Sequence, residues 1–306
     1  MRNFANKKAR RMRSYLFVPA DSERKLEKSL QSGADCLLID LEDSVSFSHK
    51  ETARTLAAAF VQDQRSRKDR STIVIRVNSL TSGMADDDLA ALVPTRPDGV
   101  LLPKSEHGAD VQNLSAMIAV HEARSGITNG EIGIHALITE TATGLLNAAT
   151  YVGASDRLKS VSWGAEDLSA DLGVETNRDN NGNYTDVFRL ARSSALLAAA
   201  SAGVMAVDAV YVDFRNEAGL EAECQKAVRD GFSGKMAIHP NQVETINRVF
   251  TPSPESIEWA QRIVSLFEQS GADAGVLSLD GKMVDRPHLR QAERILSRAR
   301  DTGVRQ

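Results

Sequence analysis

Eight short apolar runs punctuate the chain, at residues 15–18, 36–41, 72–77, 99–102, 133–138, 161–163, 209–212 and 236–238. Each is only a few residues long and mostly apolar on both faces, the pattern of a strand covered on both sides in a parallel sheet. Between the runs, apolar positions recur three and four residues apart. That spacing predicts helices over residues 22–31, 49–64, 85–92, 110–123, 144–149, 187–200, 217–229 and 242–249. Ser22 stands before an acidic first turn, Ser48 before a helix-forming run, and Gly33 follows the first helix where a left-handed residue is favoured. Eight strand-helix pairs point to an α/β fold of the closed (β/α)8 type, a TIM barrel. An open doubly wound sheet needs only about five or six strands, and no G-x-G-x-x-G follows the first run.

After the eighth pair the pattern changes. TPSPES, at residues 251–256, reads as a proline-marked hinge. Helical spacing follows over 255–270, then turn signals in GADAG and LDG, a short strand candidate in VLSL, and helical spacing again over 290–300. The expected division is a catalytic barrel over residues 13–252 and a C-terminal lid or oligomerisation extension over 253–306.

Composition narrows the picture. Hydrophobic residues make up 42% and charged residues 25%, ordinary for a globular protein. A formal net charge of -4 argues against a nucleic-acid partner, which usually selects a basic excess. Cys36 and Cys224 are the only cysteines and form no C-x-x-C pair, so neither a disulfide framework nor a zinc site is expected, and a reducing, cytoplasmic setting is. No apolar run approaches the roughly 18 residues of a membrane span. The opening MRNFANKKARRMR is basic and free of acids, which fits either the tail of a presequence or a solvated arm.

In a barrel the chemistry sits where strands end. The polar residues at those places are Asp40, Glu42 and Asp43, then Arg76, Lys104, Glu140, Glu166 and Asp167, and His239. Crowded carboxylates repel one another unless they are protonated or share a cation. An oxygen-only donor set favours Mg²⁺ or Mn²⁺ over zinc. The same acids could instead cap helices or form salt bridges. Lys104 could be the Schiff-base lysine of a metal-free aldolase, a reading that the surrounding acids disfavour. His239 and Trp163 read as structural.

The segments SYLFVPADSERKLEKSLQSGADCLLIDLEDSV, IVIRVNS, VLLPKSE, LITETATGLLN, WGAEDLSADLG and DAVYVDFRNEAGLE occur in an order that carries a resemblance. Over residues 13–252 the chain resembles the citrate lyase β-subunit-like family of the HpcH/HpaI aldolase superfamily. The resemblance implies Mg²⁺ on Glu140 of ETA and Asp167 of GAED, with Arg76 contacting the substrate carboxylate and oxygen. It implies that Glu42 and Asp43 support waters on the metal, and that backbone N–H groups around Ala165, Glu166 and Asp167 cradle the carboxylate.

The tail segment GKMVDRPHLRQAERI is similar to the lid of malyl-CoA and citramalyl-CoA lyases, whose aspartate reaches a neighbouring subunit's site. Asp285 matches that aspartate, and the lid favours a CoA-thioester lyase over shorter relatives. The implied reaction splits citramalyl-, malyl- or β-methylmalyl-CoA into acetyl- or propionyl-CoA and pyruvate or glyoxylate, in a homotrimer or hexamer. Arg24, Lys25 and Lys28, on the first helix, are the candidates for the CoA phosphates, or else a solvated basic face. Two further readings stay open: a citryl-thioester lyase subunit of a citrate lyase complex, and a non-catalytic barrel that binds dicarboxylates or acyl-CoA.

Overall fold

Eight parallel strands, hydrogen-bonded in sequence order, close on themselves. They are β1 (Ser14–Pro19), β2 (Cys36–Asp40), β3 (Thr72–Arg76), β4 (Gly99–Leu102), β5 (Gly133–Leu137), β6 (Leu158–Ser162), β7 (Met205–Asp208) and β8 (Gly234–Ala237). With the helices between them, this is the expected TIM barrel. The computed structural model describes residues 12–271 and 275–301. The basic arm up to residue 11 and the centre of the GADAG turn lie outside the described residues.

Period-two alternation sends Tyr15, Cys36, Leu38, Val74, Leu101, Leu137, Val207 and Met236 into the barrel interior, where they form one buried cluster. Asp40 follows Leu38 by two residues and Arg76 follows Val74 by two, so both share that inward face. They are also register partners across β2 and β3, one layer nearer the C-terminal rim. A charged pair therefore caps the apolar interior where the strands end.

Helices occupy the connections: α1 (Glu23–Ser29), α2 (Lys50–Arg65), α3 (Ala85–Leu92), α4 (Gly108–Arg124), α5 (Ala142–Leu146), α6 (Ala165–Leu172), α7 (Asp186–Ala202), α8 (Glu217–Asp230) and α9 (Val243–Phe250). Ser22 caps α1, its side chain accepting from the Lys25 N–H. Ser48 is not a cap, because a tight turn over Phe47–His49 precedes α2. Gly33 adopts φ 72°, beyond the Leu30 C-cap.

Two expected elements are corrected. β7 lies at Met205–Asp208, just before the anticipated run at 209–212. That run is apolar for another reason: Ala209 and Val210 line the cavity at the barrel mouth, and the Tyr211 carbonyl accepts from Gln242 rather than from a strand. Helix α6 has no counterpart among the expected helices; its first turn carries Glu166 and Asp167, which were read as acids at a strand end.

A second compact unit begins at Arg248, the first ending at Asn247. It contains α10 (Pro254–Ser270), the antiparallel pair β9 (Val276–Leu279) and β10 (Lys282–Asp285), and α11 (Arg286–Asp301). Asp280 and Gly281, both at positive φ, make the two-residue turn that LDG signals. Ala260, Ile263 and Phe267 of α10 pack with Val284 and Ala292 into a core of its own. Among the described residues, no helix is long and apolar enough to cross a membrane.

Candidate active site

Arg76, the last residue of β3, donates from Nε and Nη2 to the two oxygens of Asp40, both at 2.7 Å. Its Nη1 lies 2.9 Å from Glu42 Oε2, and its guanidinium stands over the Phe17 ring at 4.8 Å. Asp40 also accepts the N–H groups of Glu42 and Ser44. Burial opposes the Asp40 charge, but Arg76 outweighs it and holds the carboxyl below its ordinary value. This fork-to-fork pair fixes the guanidinium plane.

Lys104 follows β4 with a left-handed backbone, φ 49°. This turn has two consequences. Its N–H points at Glu140 Oε2, 2.5 Å away. Its ammonium reaches Glu42 Oε1 (2.5 Å), Asp43 Oδ2 (2.9 Å) and Asp167 Oδ1 (3.4 Å). Burial works against its charge, yet the carboxylates push its pKa up, so Lys104 is a fixed cation rather than a free amine nucleophile. Neither this role nor Asp40 as the anchor of Arg76 was assigned from sequence. The signal for Asp40 was its place on the inward face, two residues past Leu38.

Glu140 is only 3% exposed. Burial first, then Asp167 and Glu42, raise its pKa to about 8, against the pull of the Lys104 N–H and Arg76. Burial also raises Glu42, with Arg76 and Lys104 opposing. Gly164 presses on the Glu140 carboxyl so closely that a Cβ there would stand 2.8 Å from Cγ. Ala165, Glu166 and Asp167 form the first turn of α6, whose N-terminus has no side-chain cap. Its backbone donors are thus open to an anion.

These groups surround a cavity of about 400 Å³ that includes Phe17, Arg76, Leu137, Glu140, Trp163 and Asp167 in its lining. Its floor is apolar and its rim charged. Arg76, Glu42, Asp43, Glu140, Ala165, Glu166 and Asp167 are brought together at the mouth. Arg24, Lys25 and Lys28 are exposed on α1 and do not line the cavity. Asp285 lies in the C-terminal unit, its Oδ1 2.6 Å from His288 Nδ1. His239 caps a turn and stacks on Phe214, and Trp163 is buried and lines the cavity.

Among the described residues, no three His, Cys, Asp or Glu side chains cluster as a closed metal cage. Glu140 and Asp167 offer two oxygen ligands, which suits a hard divalent cation that fills its other positions with substrate and water. The raised Glu140 is the expected state of such a pair before a cation neutralises it. The donor set fits.

A parallel barrel with fixed cations and paired acids at its C-terminal rim has the construction of an enzyme's active site. Residues 13–240 match the family described as HpcH/HpaI aldolase/citrate lyase. The chain is 38% identical to citrate lyase subunit beta of Escherichia coli K12, over 98% of this chain and 97% of that one. It is 33% identical to the mitochondrial citramalyl-CoA lyase of Rattus norvegicus, over 94% and 86%. A crystal structure of CitE from Mycobacterium tuberculosis with magnesium, acetoacetate and coenzyme A superposes with a TM-score of 0.75 at 34% identity, covering 94% and 97% of the two chains. The chain belongs to the HpcH/HpaI aldolase/citrate lyase family, and its enzymatic class is carbon–carbon lyase.

Proposed function

We propose that this lyase cleaves a 3-hydroxyacyl-CoA whose acyl part ends in a carboxylate: citramalyl-, malyl- or β-methylmalyl-CoA. Mg²⁺ would be held by Glu140 and Asp167, with Mn²⁺ as a substitute. The carrying observation is the buried Glu140 carboxyl, held by the Lys104 N–H and lining one cavity with Asp167 and Arg76. The cation, when bound, supplies Lewis-acid charge beside the reacting oxygen.

The chain's own residues do the rest. Arg76, anchored by Asp40, keeps N–H groups for the substrate carboxylate and hydroxyl oxygen. The first-turn N–H groups of α6, at Ala165, Glu166 and Asp167, cradle the carboxylate. Lys104 holds Glu42 and Asp43 in place, and its N–H aims Glu140. Cleavage turns the hydroxyl into a carbonyl as its proton passes to solvent water, and the bonding pair of the broken carbon–carbon bond passes to the thioester α-carbon. That enolate takes a proton from Asp285, supplied by the lid of a neighbouring copy. A lid acting in trans requires an oligomer, and the family likeness suggests a homotrimer or hexamer. Arg24, Lys25 and Lys28, exposed on α1, take the CoA phosphates. The buried free thiols of Cys36 and Cys224 agree with a cytoplasmic setting.

A second reading, the citryl-thioester lyase subunit of a citrate lyase complex, is favoured by the Escherichia coli match. It spans 98% of this chain, so the C-terminal extension does not separate the two readings. The test is a product assay of the purified chain with the three CoA thioesters and with a citryl carrier protein. Release of acetyl- or propionyl-CoA with a 2-oxo acid supports the proposal. Cleavage of the carrier-bound substrate alone supports the second reading. Hydrolysis to free CoA without carbon–carbon cleavage counts against both.

A further inference from the structure

Six side chains close a ring on the side of the strands away from the barrel interior. Trp163 Nε1 donates to Asp208 Oδ1 at 2.8 Å. Asp208 Oδ2 accepts from Lys235 Nζ at 3.1 Å, and the same ammonium donates to Glu223 Oε1 at 2.7 Å. Glu223 Oε2 accepts from Arg178 Nη2 at 2.8 Å. The Arg178 guanidinium lies over the Tyr184 ring at 3.9 Å, and Tyr184 meets Trp163 edge to face at 5.0 Å. Strands β7 and β8, helix α8 and the segment between α6 and α7 are thereby tied to one indole.

Stability is a weak reason for such a ring. Asp208 is 1% exposed and Lys235 fully buried. Ion pairs this deep usually offset little more than their own desolvation, and apolar residues of similar volume often serve as well. A ring of directed contacts does, however, fix orientation. What it orients is the residue that opens the active-site turn: Trp163 lines the cavity and is followed directly by Gly164. The Gly164 backbone abuts the Glu140 carboxyl, with the position of a Cβ only 2.8 Å from Cγ and 2.9 Å from Oε1. A tilt of the indole therefore moves backbone against Glu140 and swings Asp167 with it.

We infer that Asp208 is a positioning residue: through the Trp163 indole it sets the 164–167 turn against Glu140, and so governs how tightly Glu140 and Asp167 grip a divalent cation. This rests on the metal reading proposed above. Supports that orient metal ligands typically contribute about 10- to 100-fold in affinity or activity, although they touch neither metal nor substrate.

The test is calorimetric titration of the full chain with Mg²⁺ alone, for wild type, Trp163→Phe, Asp208→Asn and Glu122→Gln. Trp163→Phe keeps an aromatic ring and removes the indole N–H. Glu122 is a buried acid paired with Arg157 at 2.5 Å and touches neither Trp163 nor Asp208, so its variant reports any general effect of loosening a buried ion pair. The expected result is a loss of Mg²⁺ affinity of about 10-fold in Trp163→Phe and Asp208→Asn, with Glu122→Gln unchanged. Activity of the two weakened variants should recover as Mg²⁺ is raised. If Asp208→Asn does not fold, Trp163→Phe decides. Wild-type affinity in a folded Trp163→Phe overturns the inference and leaves the metal reading standing. Absence of Mg²⁺ binding by wild type overturns the metal reading and this inference with it.

Discussion

At the scale of single residues, the site is a balance of fixed charges. Arg76 and Lys104 are each held by several acids, and Glu140 is the acid left with too little positive charge around it. Arg76→Lys keeps one charge but loses the planar fork to Asp40, so kcat/KM should fall by roughly 10²- to 10³-fold in a folded protein. A variant as active as wild type would remove Arg76 from the chemistry. The acids themselves were legible in the sequence, because strand ends in a barrel collect functional groups. The cation that unites them was not, since it depends on the left-handed turn at Lys104, a conformation that no spacing rule assigns to lysine.

His135 offers a test that is independent of activity. It is buried inside β5, with Nδ1 2.7 Å from Ser160 Oγ. Burial, aided by Lys159, lowers its pKa to about 4 from 6.5. Between those values the unfolded chain binds a proton that the folded chain does not. Its contribution is therefore intact above about pH 6.5 and is lost as pH falls toward 4, by about 3 kcal/mol in all. Urea unfolding at pH 7 and pH 4.5 should show a smaller loss in His135→Gln than in wild type. Equal losses would show that His135 does not titrate this way.

At the scale of elements, the strand-helix alternation was readable because each strand is apolar on both faces, and seven of the eight strands overlap their expected positions. β7 was misplaced because cavity lining and strand pairing select the same apolar residues, as Ala209 and Val210 show. Helix α6 escaped because Glu166 and Asp167 in its first turn were read as acids ending a strand, although its N-terminus is the part of the site nearest to backbone chemistry. The turn leading into it makes a sharp prediction. Gly164→Ala places a methyl 2.8 Å from Glu140 Cγ, so either the turn or the carboxyl must shift. Stability should drop by about 1–3 kcal/mol, and Mg²⁺ affinity should weaken with it. Denaturant unfolding and Mg²⁺ titration that both match wild type would contradict this packing.

At the scale of the whole molecule, TPSPES and the altered periodicity beyond it suggest a division after residue 252, whereas the second compact unit begins at Arg248. What the second unit does was not visible in spacing at all, and rests on the likeness around Asp285. If Asp285 serves a neighbouring copy, Glu140→Gln and Asp285→Asn are each inactive alone. Co-assembled in equal amounts they should regain about a quarter of wild-type activity, because a site then draws Glu140 from one chain and Asp285 from another. No recovery after verified mixing would confine Asp285 to its own chain or exclude it.

In the proposed function, carbon–carbon cleavage depends on a divalent cation held by Glu140 and Asp167. Its most direct measurement is the rate of 2-oxo acid release from a carboxylated 3-hydroxyacyl-CoA by wild type and Glu140→Gln, each in excess chelator and in excess Mg²⁺. Turnover is expected only for wild type with Mg²⁺, with Glu140→Gln at least about 10²-fold slower. Equal rates in chelator and in Mg²⁺, or a fully active Glu140→Gln, would contradict it.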